Sequence, residues 1–213
     1  MNFLITAGGT REYIDPVRFI SNAGSGRMGY ALARAAARAG HKVTLVTAPT
    51  TLRKPAGVEV VRVESAAQMY AAVKKHFPGC RCLIMAAAVS DYTPAATSKT
   101  KIKKSRHALA IKLKPTADIL KWAGLHKKKE QIVVGFALED RHLRERAQKK
   151  LKEKNLDMIV ANTPDAIAAA SSNVQIKTVN GPWLVLDAAK EVIARRIIRL
   201  VSKTEGTITR NTF

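Results

Sequence analysis

Short apolar runs recur along the chain at Phe3 to Ala7, Lys42 to Thr47, Glu59 to Val63, Cys82 to Ala88, Gln131 to Ala137 and Met158 to Ala161, and each is bounded by glycine or charge. Runs of this length predict buried strands. Between them, Gly29 to Ala39 is alanine-rich and Ser65 to Phe77 places Ala66, Met69, Tyr70 and Val73 at helical spacing. Asp140 to Asn155 reads as a charged surface helix. Strand alternating with helix predicts an α/β fold with a doubly wound, mostly parallel sheet covered on both faces.

Two segments depart from that rhythm. Val174 to Val179 and Trp183 to Leu186 flank Asn180-Gly181, whose tolerance of positive φ predicts a C-terminal β-hairpin, with Asp187 capping a last helix to about Ser202. The threonine-rich tail beyond has no period and is expected to fray. Tyr92 to Glu130 joins two strands by a path longer than an ordinary crossover, so residues 92–130 are expected to form a flap inserted in a single domain spanning 1–213. Within it lie the lysine run Lys99 to Lys104, the alternating stretch Leu109 to Lys114 and a short helix from Thr116 to Gly124.

Composition changes the picture in one respect. The 213 residues carry 37 Lys and Arg against 16 acids, a formal charge of +21, so an anionic partner is expected. Hydrophobic residues make up 46%, enough for a globular core. No apolar stretch reaches the 18 or so residues of a membrane span, and Met1 to Thr10 lacks the basic start of a signal peptide, so the chain is expected in the cytosol. Cys80 and Cys82 read as reduced core thiols. Aromatics are only 5% and no recognition-helix motif appears, which sets a nucleic-acid-binding module behind a small anionic ligand.

Gly24-Ser25-Gly26-Arg27-Met28-Gly29 matches G-x-G-x-x-G and opens a helix, where free amides and the helix dipole hold phosphate. A dinucleotide site fits less well. Sixteen residues separate Ala7 from Gly24, and no acid lies between Asp15 and Glu59 to take the ribose, although Arg53 and Lys54 keep an NADP-dependent reductase as an alternative. Gly8-Gly9-Thr10 offers a second backbone nest at the carboxyl end of the first strand, and Asp91 and Tyr92 follow the fourth. Lys101 and Lys103 share one side of an extended segment, from which an ammonium could reach bound phosphates. Phe136 reads as core, and Lys149, Lys150, Lys152 and Lys154 as a solvated helix face. The five histidines show no metal-ligand spacing.

Taken together, Ile5-Thr-Ala-Gly-Gly-Thr-Arg-Glu, Asp15-Pro-Val-Arg-Phe-Ile-Ser-Asn-Ala-Gly-Ser-Gly-Arg-Met-Gly, Ala86-Ala-Ala-Val-Ser-Asp-Tyr, Lys101-Ile-Lys-Lys, Val134-Gly-Phe-Ala-Leu-Glu and Ile159-Val-Ala-Asn resemble phosphopantothenoylcysteine synthetase, the phosphopantothenate–cysteine ligase of coenzyme A synthesis. The resemblance spans nearly the whole chain and implies a Rossmann-like domain. It implies that 4'-phosphopantothenate and L-cysteine are joined through an acyl-nucleotidylate, with CTP favoured over ATP as co-substrate. Mg2+ is expected with the nucleotide, with no protein ligand assigned, and a homodimer is expected. Many relatives fuse this domain behind a flavin-dependent decarboxylase, whereas this chain is expected to be the free-standing ligase.

By the same resemblance, Asn22 contacts the acyl-nucleotidylate and Lys101 closes over it as the two catalytic residues. Arg18 reaches the phosphopantothenate phosphate across the dimer, and Ala88 completes the substrate contacts. Met85, Ala86, Ala87 and Asp91 form a shelf for nucleotide and substrate. Ala117, Asp118, Ile119 and Leu120, with Phe136, Lys150 and Lys154, supply further nucleotide contacts, while Gly8, Gly9, Ser25 and Gly26 line the phosphates. The chain departs from the family pattern in reading Gly24-Ser25 where two serines are common, and Thr116-Ala117-Asp118-Ile119 where Asn-Pro-Asp-Ile is common.

Overall fold

The computed structural model describes residues 1–166 and 171–210. Its centre is β1 (Asn2–Ala7), which pairs in parallel with β4 (Lys42–Thr47) on one side and with β6 (Cys82–Met85) on the other. β5 (Glu59–Arg62) extends the first side. β9 (Ile132–Leu138) and β10 (Met158–Asn162) extend the second, also in parallel. The strand order therefore reverses beside β1, and the carboxyl ends of β1 and β6 bound the crevice where open α/β sheets bind ligands.

An antiparallel hairpin, β11 (Ser171–Thr178) and β12 (Leu184–Ala189), completes an eight-stranded sheet along β10. The expected C-terminal hairpin is present, but its turn is not the one expected. Residues 179–183 link the strands, and neither Asn180 nor Gly181 has positive φ. The Gly181 amide instead donates to Thr178 Oγ1 at 3.1 Å, an approach that an added Cβ would block.

Both faces of the sheet are covered, as near-continuous apolar strands require. Phe3, Ile5, Val43, Leu45, Ile84 and Val134 pack against α1 (Arg27–Arg38) and α5 (Lys190–Arg210). The alternate residues Leu4, Leu83, Val133 and Ile159 pack against α2 (Ala66–His76), α3 (Ile119–His126) and α4 (Leu143–Glu153). α2 begins with a reciprocal capping box between Ser65 and Gln68.

Three boundaries correct the sequence expectation. The Cys82 run leaves the sheet at Met85, with Ala86 to Ala88 in a loop. The charged helix starts at Leu143 and ends at Glu153, since Asn155 takes a positive φ. Asp187 lies in β12 and caps nothing; α5 starts three residues later at Lys190 and runs past Ser202 to Arg210. The tail expected to fray is thus helical to Arg210, and residues 211–213 lie outside the described residues.

The segment 92–130 contains a small hairpin, β7 (Tyr92–Pro94) with β8 (Leu113–Pro115), an irregular arm over 95–112, and α3, whose Ile119, Leu120 and Ala123 are buried in the main core. A second hairpin unforeseen from the apolar pattern, β2 (Arg11–Tyr13) with β3 (Phe19–Ser21), precedes the glycine loop. Among the described residues, no helix is long and apolar enough to cross a membrane.

Candidate active site

The loop after β1 and the loop after β6 are laced together at the carboxyl edge. The Ala88 amide donates to Gly8 O at 2.9 Å, and the Ser90 amide to Thr10 Oγ1 at 2.9 Å. Gly9 bridges Ala88 in the same seam. The glycine loop lies over these strands and ends at Gly26, whose φ of 77° is open to glycine and strained for other residues. Gly26 is the N-cap of α1 and provides no side-chain cap, and only the Arg27 amide reaches Ser25 Oγ, at 3.5 Å, so this helix start is able to hold an anion.

A cleft of about 500 Å³ opens there, and Gly8, Asn22, Ser25 and Gly26 line one wall. Ala86, Ala87, Ala88 and Asp91 line its floor, and Phe136 and Lys150 line the side toward β9. The Asn22 amide group donates to Val89 O at 3.0 Å, which aims this exposed side chain along the floor.

A second pocket of about 300 Å³ adjoins on the α3–α4 side. Met85, Ala117, Asp118, Ile119, Leu120 and Lys154 line it. Ala87, Val89, Asp91, Phe136 and Lys150 line both spaces. Phe136, expected on its own pattern to be core, is half-buried: it packs against the α1–α5 core and also lines both spaces.

The helix lysines are more than a solvated face. Lys150 Nζ donates to Phe136 O at 2.9 Å. Burial, then the neighbouring charge of Lys154, holds its pKa below the ordinary lysine value against the opposing pull of Glu139, Asp118 and Asp91. Lys154 Nζ lies 2.8 Å from Asp118 Oδ2, and Asp118 Oδ1 accepts the Lys121 amide at 2.9 Å to cap α3. Burial raises the Asp118 pKa, but the Lys154 and Lys121 contacts outweigh it and leave it below the usual carboxylate range. Gly124 allows the arrangement: a Cβ there would strike the Lys154 carbonyl, and the Asn155 side chain clips to Gly124 O at 2.8 Å.

Of the sequence-expected residues, Gly9, Arg18 and Lys101 do not line either space. Gly9 sits in the seam beneath. Arg18 is tied to the arm through Asp15. Buried Asp15 accepts the amides of Val17, Arg18 and Ile102 at 2.8, 2.9 and 3.1 Å, and the Arg18 guanidinium as well. Arg18 also donates to Ile102 O at 2.7 Å. The Arg18 guanidinium and these amides hold the Asp15 carboxyl well below the usual range. Ile102 is thus pinned, while Lys101 and Lys103 on either side stay exposed.

The structure adds Arg27, Leu138, Asn162 and Lys190 to the cleft lining. Asn162 lay within a quoted motif. Lys190 carried no local signal, because the end of β12 that delivers it, Asp187 to Ala189, was read as the cap and start of a helix. Among the described residues no three His, Cys, Asp or Glu side chains gather to hold a metal ion.

Comparison with known proteins identifies the family of the chain. Residues 1–204 match the family described as the DNA/pantothenate metabolism flavoprotein C-terminal domain. The coenzyme A biosynthesis bifunctional protein CoaBC of Bacillus subtilis (strain 168) is 48% identical over 167 residues, covering 78% of this chain and 41% of that protein. A cysteine/cysteine sulfinic acid decarboxylase from an unknown prokaryotic organism is 53% identical over 160 residues, 75% of this chain and 45% of its own. The chain thus spans less than half the length of these two curated relatives. The crystal structure of the C-terminal domain of a CoaBC matches with a TM-score of 0.83 at 40% identity, covering 95% of this chain and 94% of that one.

Proposed function

The chain belongs to the family of DNA/pantothenate metabolism flavoprotein C-terminal domains, and from that membership we propose that it is the ligase joining 4'-phosphopantothenate to L-cysteine. The observation that carries this reading is the continuity of the cleft with the pocket beside it. Five residues line both spaces, so one nucleotide can place its base against Phe136 and Leu120 and its phosphates at the glycine loop.

The reaction poses an electrostatic problem. A carboxylate must meet the α-phosphorus of a triphosphate, and each pair of unit charges 4 Å apart repels by about 4 kcal/mol at an effective dielectric of 20. The open amides of α1 and the ammonium of Lys150 supply preorganised positive charge where the reactants converge. The carboxylate oxygen then bonds to the α-phosphorus as pyrophosphate departs. Cysteine's amine next attacks the acyl carbon, the bond to the nucleoside monophosphate breaks, and an amide remains.

Asn22, held at Val89 O, is positioned to contact the mixed anhydride. Lys101, on the arm, closes over it and excludes water. CTP is the assigned nucleotide, on the resemblance in sequence, with ATP as the other arm of the assay. Among the described residues the carboxylates form no cluster of three that could hold a metal ion. Mg2+ would arrive on the triphosphate, as is usual for this ion, with Asp91 the carboxylate lining the cleft.

A homodimer is part of the proposal. Val17, Phe19 and Ile20 beside Arg18 expose large apolar side chains, as do Tyr92 and Leu113 on the β7–β8 hairpin that packs beside β2, a surface suited to a second copy.

The test is direct: incubate the protein with phosphopantothenate, Mg2+ and either CTP or ATP, with and without cysteine. Pyrophosphate and phosphopantothenoylcysteine are the expected products. No pyrophosphate with either nucleotide would overturn the reading.

A further inference from the structure

On the face of the sheet that α1 and α5 cover, the two helices enclose a groove of about 420 Å³ between them. They run in the same direction. Arg34 lies 3.2 Å from Glu191 near the start of α5, and His41, just past α1, has Nε2 3.4 Å from Ser202 Oγ, about three turns further along α5. The floor of the groove is apolar, with Ala31 and Ile198 buried and Ala35 half-buried. Its walls are cationic. Arg34 and Arg38 stand on α1 and Arg195 and Arg199 on α5, each pair about one helical turn apart, and Arg38, Arg195 and Arg199 are exposed. Among the described residues that line the groove, Glu191 is the one carboxylate and pairs with Arg34, so four guanidinia against one acid leave an excess of three positive charges.

This combination of floor and walls selects an occupant. A second copy meeting this face brings the same arginines and is repelled. A lipid surface needs an apolar helix face turned outward, whereas Ile193, Ile197 and Val201 of α5 are buried against the sheet. A nucleic-acid backbone matches the charge but has no apolar surface to lay on the floor. An α-helix meets both demands. One apolar stripe covers the floor, and carboxylates at i and i+4 on its flanks repeat every 6 Å or about that, the rise that separates Arg34 from Arg38 and Arg195 from Arg199. Guanidinium is weakly hydrated and pairs bidentately with carboxylate, which suits it to such a contact.

We propose that the α1–α5 groove docks an acidic amphipathic helix of a partner protein, its apolar stripe on Ala31, Ala35 and Ile198 and its flanking carboxylates on Arg38, Arg195 and Arg199. The assignment stands apart from the ligase reading, because the groove shares no lining residue with the cleft or the pocket beside it.

The probe is a synthetic helix of about five turns, with leucine along one stripe and glutamate at i and i+4 on both flanks, and its binding is read by fluorescence anisotropy. A second peptide of identical composition scatters the glutamates around the helix, and a third carries lysine in their place. The full chain should bind the first peptide about tenfold more tightly than the second. Arg38→Glu/Arg195→Glu should weaken that binding by about tenfold or more and should gain affinity for the lysine peptide. Lys128→Glu/Lys129→Glu, an equal change of charge on the exposed link between α3 and β9, should leave the preference intact. Should the arginine double variant not fold, Arg199→Glu alone carries the same test. Equal binding of the two glutamate peptides, no binding of either, or equal losses in the two double variants would overturn the proposal. So would a DNA duplex or phosphatidylglycerol vesicles that displace the first peptide and lose their own binding on Arg38→Glu/Arg195→Glu, because the groove would then belong to another occupant.

Discussion

Lys154 and Asp118 join the end of α4 to the start of α3 through a 2.8 Å ion pair, and both residues line the pocket beside the cleft. Asp118 has two separable roles there, cap and counter-charge. Asp118→Ala should cost about 1 kcal/mol for the lost cap, with a smaller share from a pair this open to water. Asp118→Asn keeps the capping oxygen and should lose only the pair. Because the folded carboxyl titrates below its unfolded value, its contribution is full above the ordinary carboxylate range and fades as pH falls through the lower folded value. Urea melts should show the wild-type advantage over Asp118→Asn near neutrality and its disappearance in strong acid.

Lys101 stands exposed beside a pinned residue, so the role proposed for it requires closure of the arm and places no demand on the fold. Lys101→Gln should slow acyl-nucleotidylate formation by roughly 10²-fold, the scale for losing one preorganised electrostatic contact, with the thermal melting point unchanged. Near-normal single-turnover rates would remove Lys101 from the mechanism.

Arg18 and Asn22 lie four residues apart, but Arg18 does not line the cleft that Asn22 does. If Arg18 serves the neighbouring subunit, Arg18→Ala and Asn22→Ala should each be inactive alone, with intact circular dichroism, and regain activity when mixed. At random pairing, half of the dimers are mixed and each holds one complete site. Proven subunit exchange without recovery would exclude the sharing.

Asp15 gathers the β2–β3 turn and the arm around one buried carboxylate. Asp15→Ala leaves the amides of Val17 and Ile102 without their acceptor, so the arm should loosen. Limited proteolysis within residues 95–112 should accelerate several-fold, and unchanged cleavage rates would show that other contacts hold the arm.

The parallel sheet was legible because its strands announce themselves. Buried on both faces, they are continuous apolar runs, and the helices between them carry alanine or period-3.6 patterns. The C-terminal hairpin was legible from its apolar runs, yet its turn was misread. Asn-Gly permits positive φ without requiring it, and the Thr178 contact selects another path. β2–β3 and β7–β8 were missed because each strand has three residues, too few to show a period.

The glycine loop, with its helix N-terminus, is a local device, so the chain alone pointed to an anion there. What converges on it is not local. Lys150, Phe136 and Asp118 reach the cleft region only because parallel strands bring their carboxyl ends to one edge, and periodicity alone reads Phe136 as core and Lys150 as surface. Lys190 lies at sequence positions far from the loop, and a register of three residues at β12 decides that it opens α5 in the cleft. Backbone propensity is written residue by residue, whereas the electrostatic field of the cleft is a sum over charges that only the folded sheet assembles.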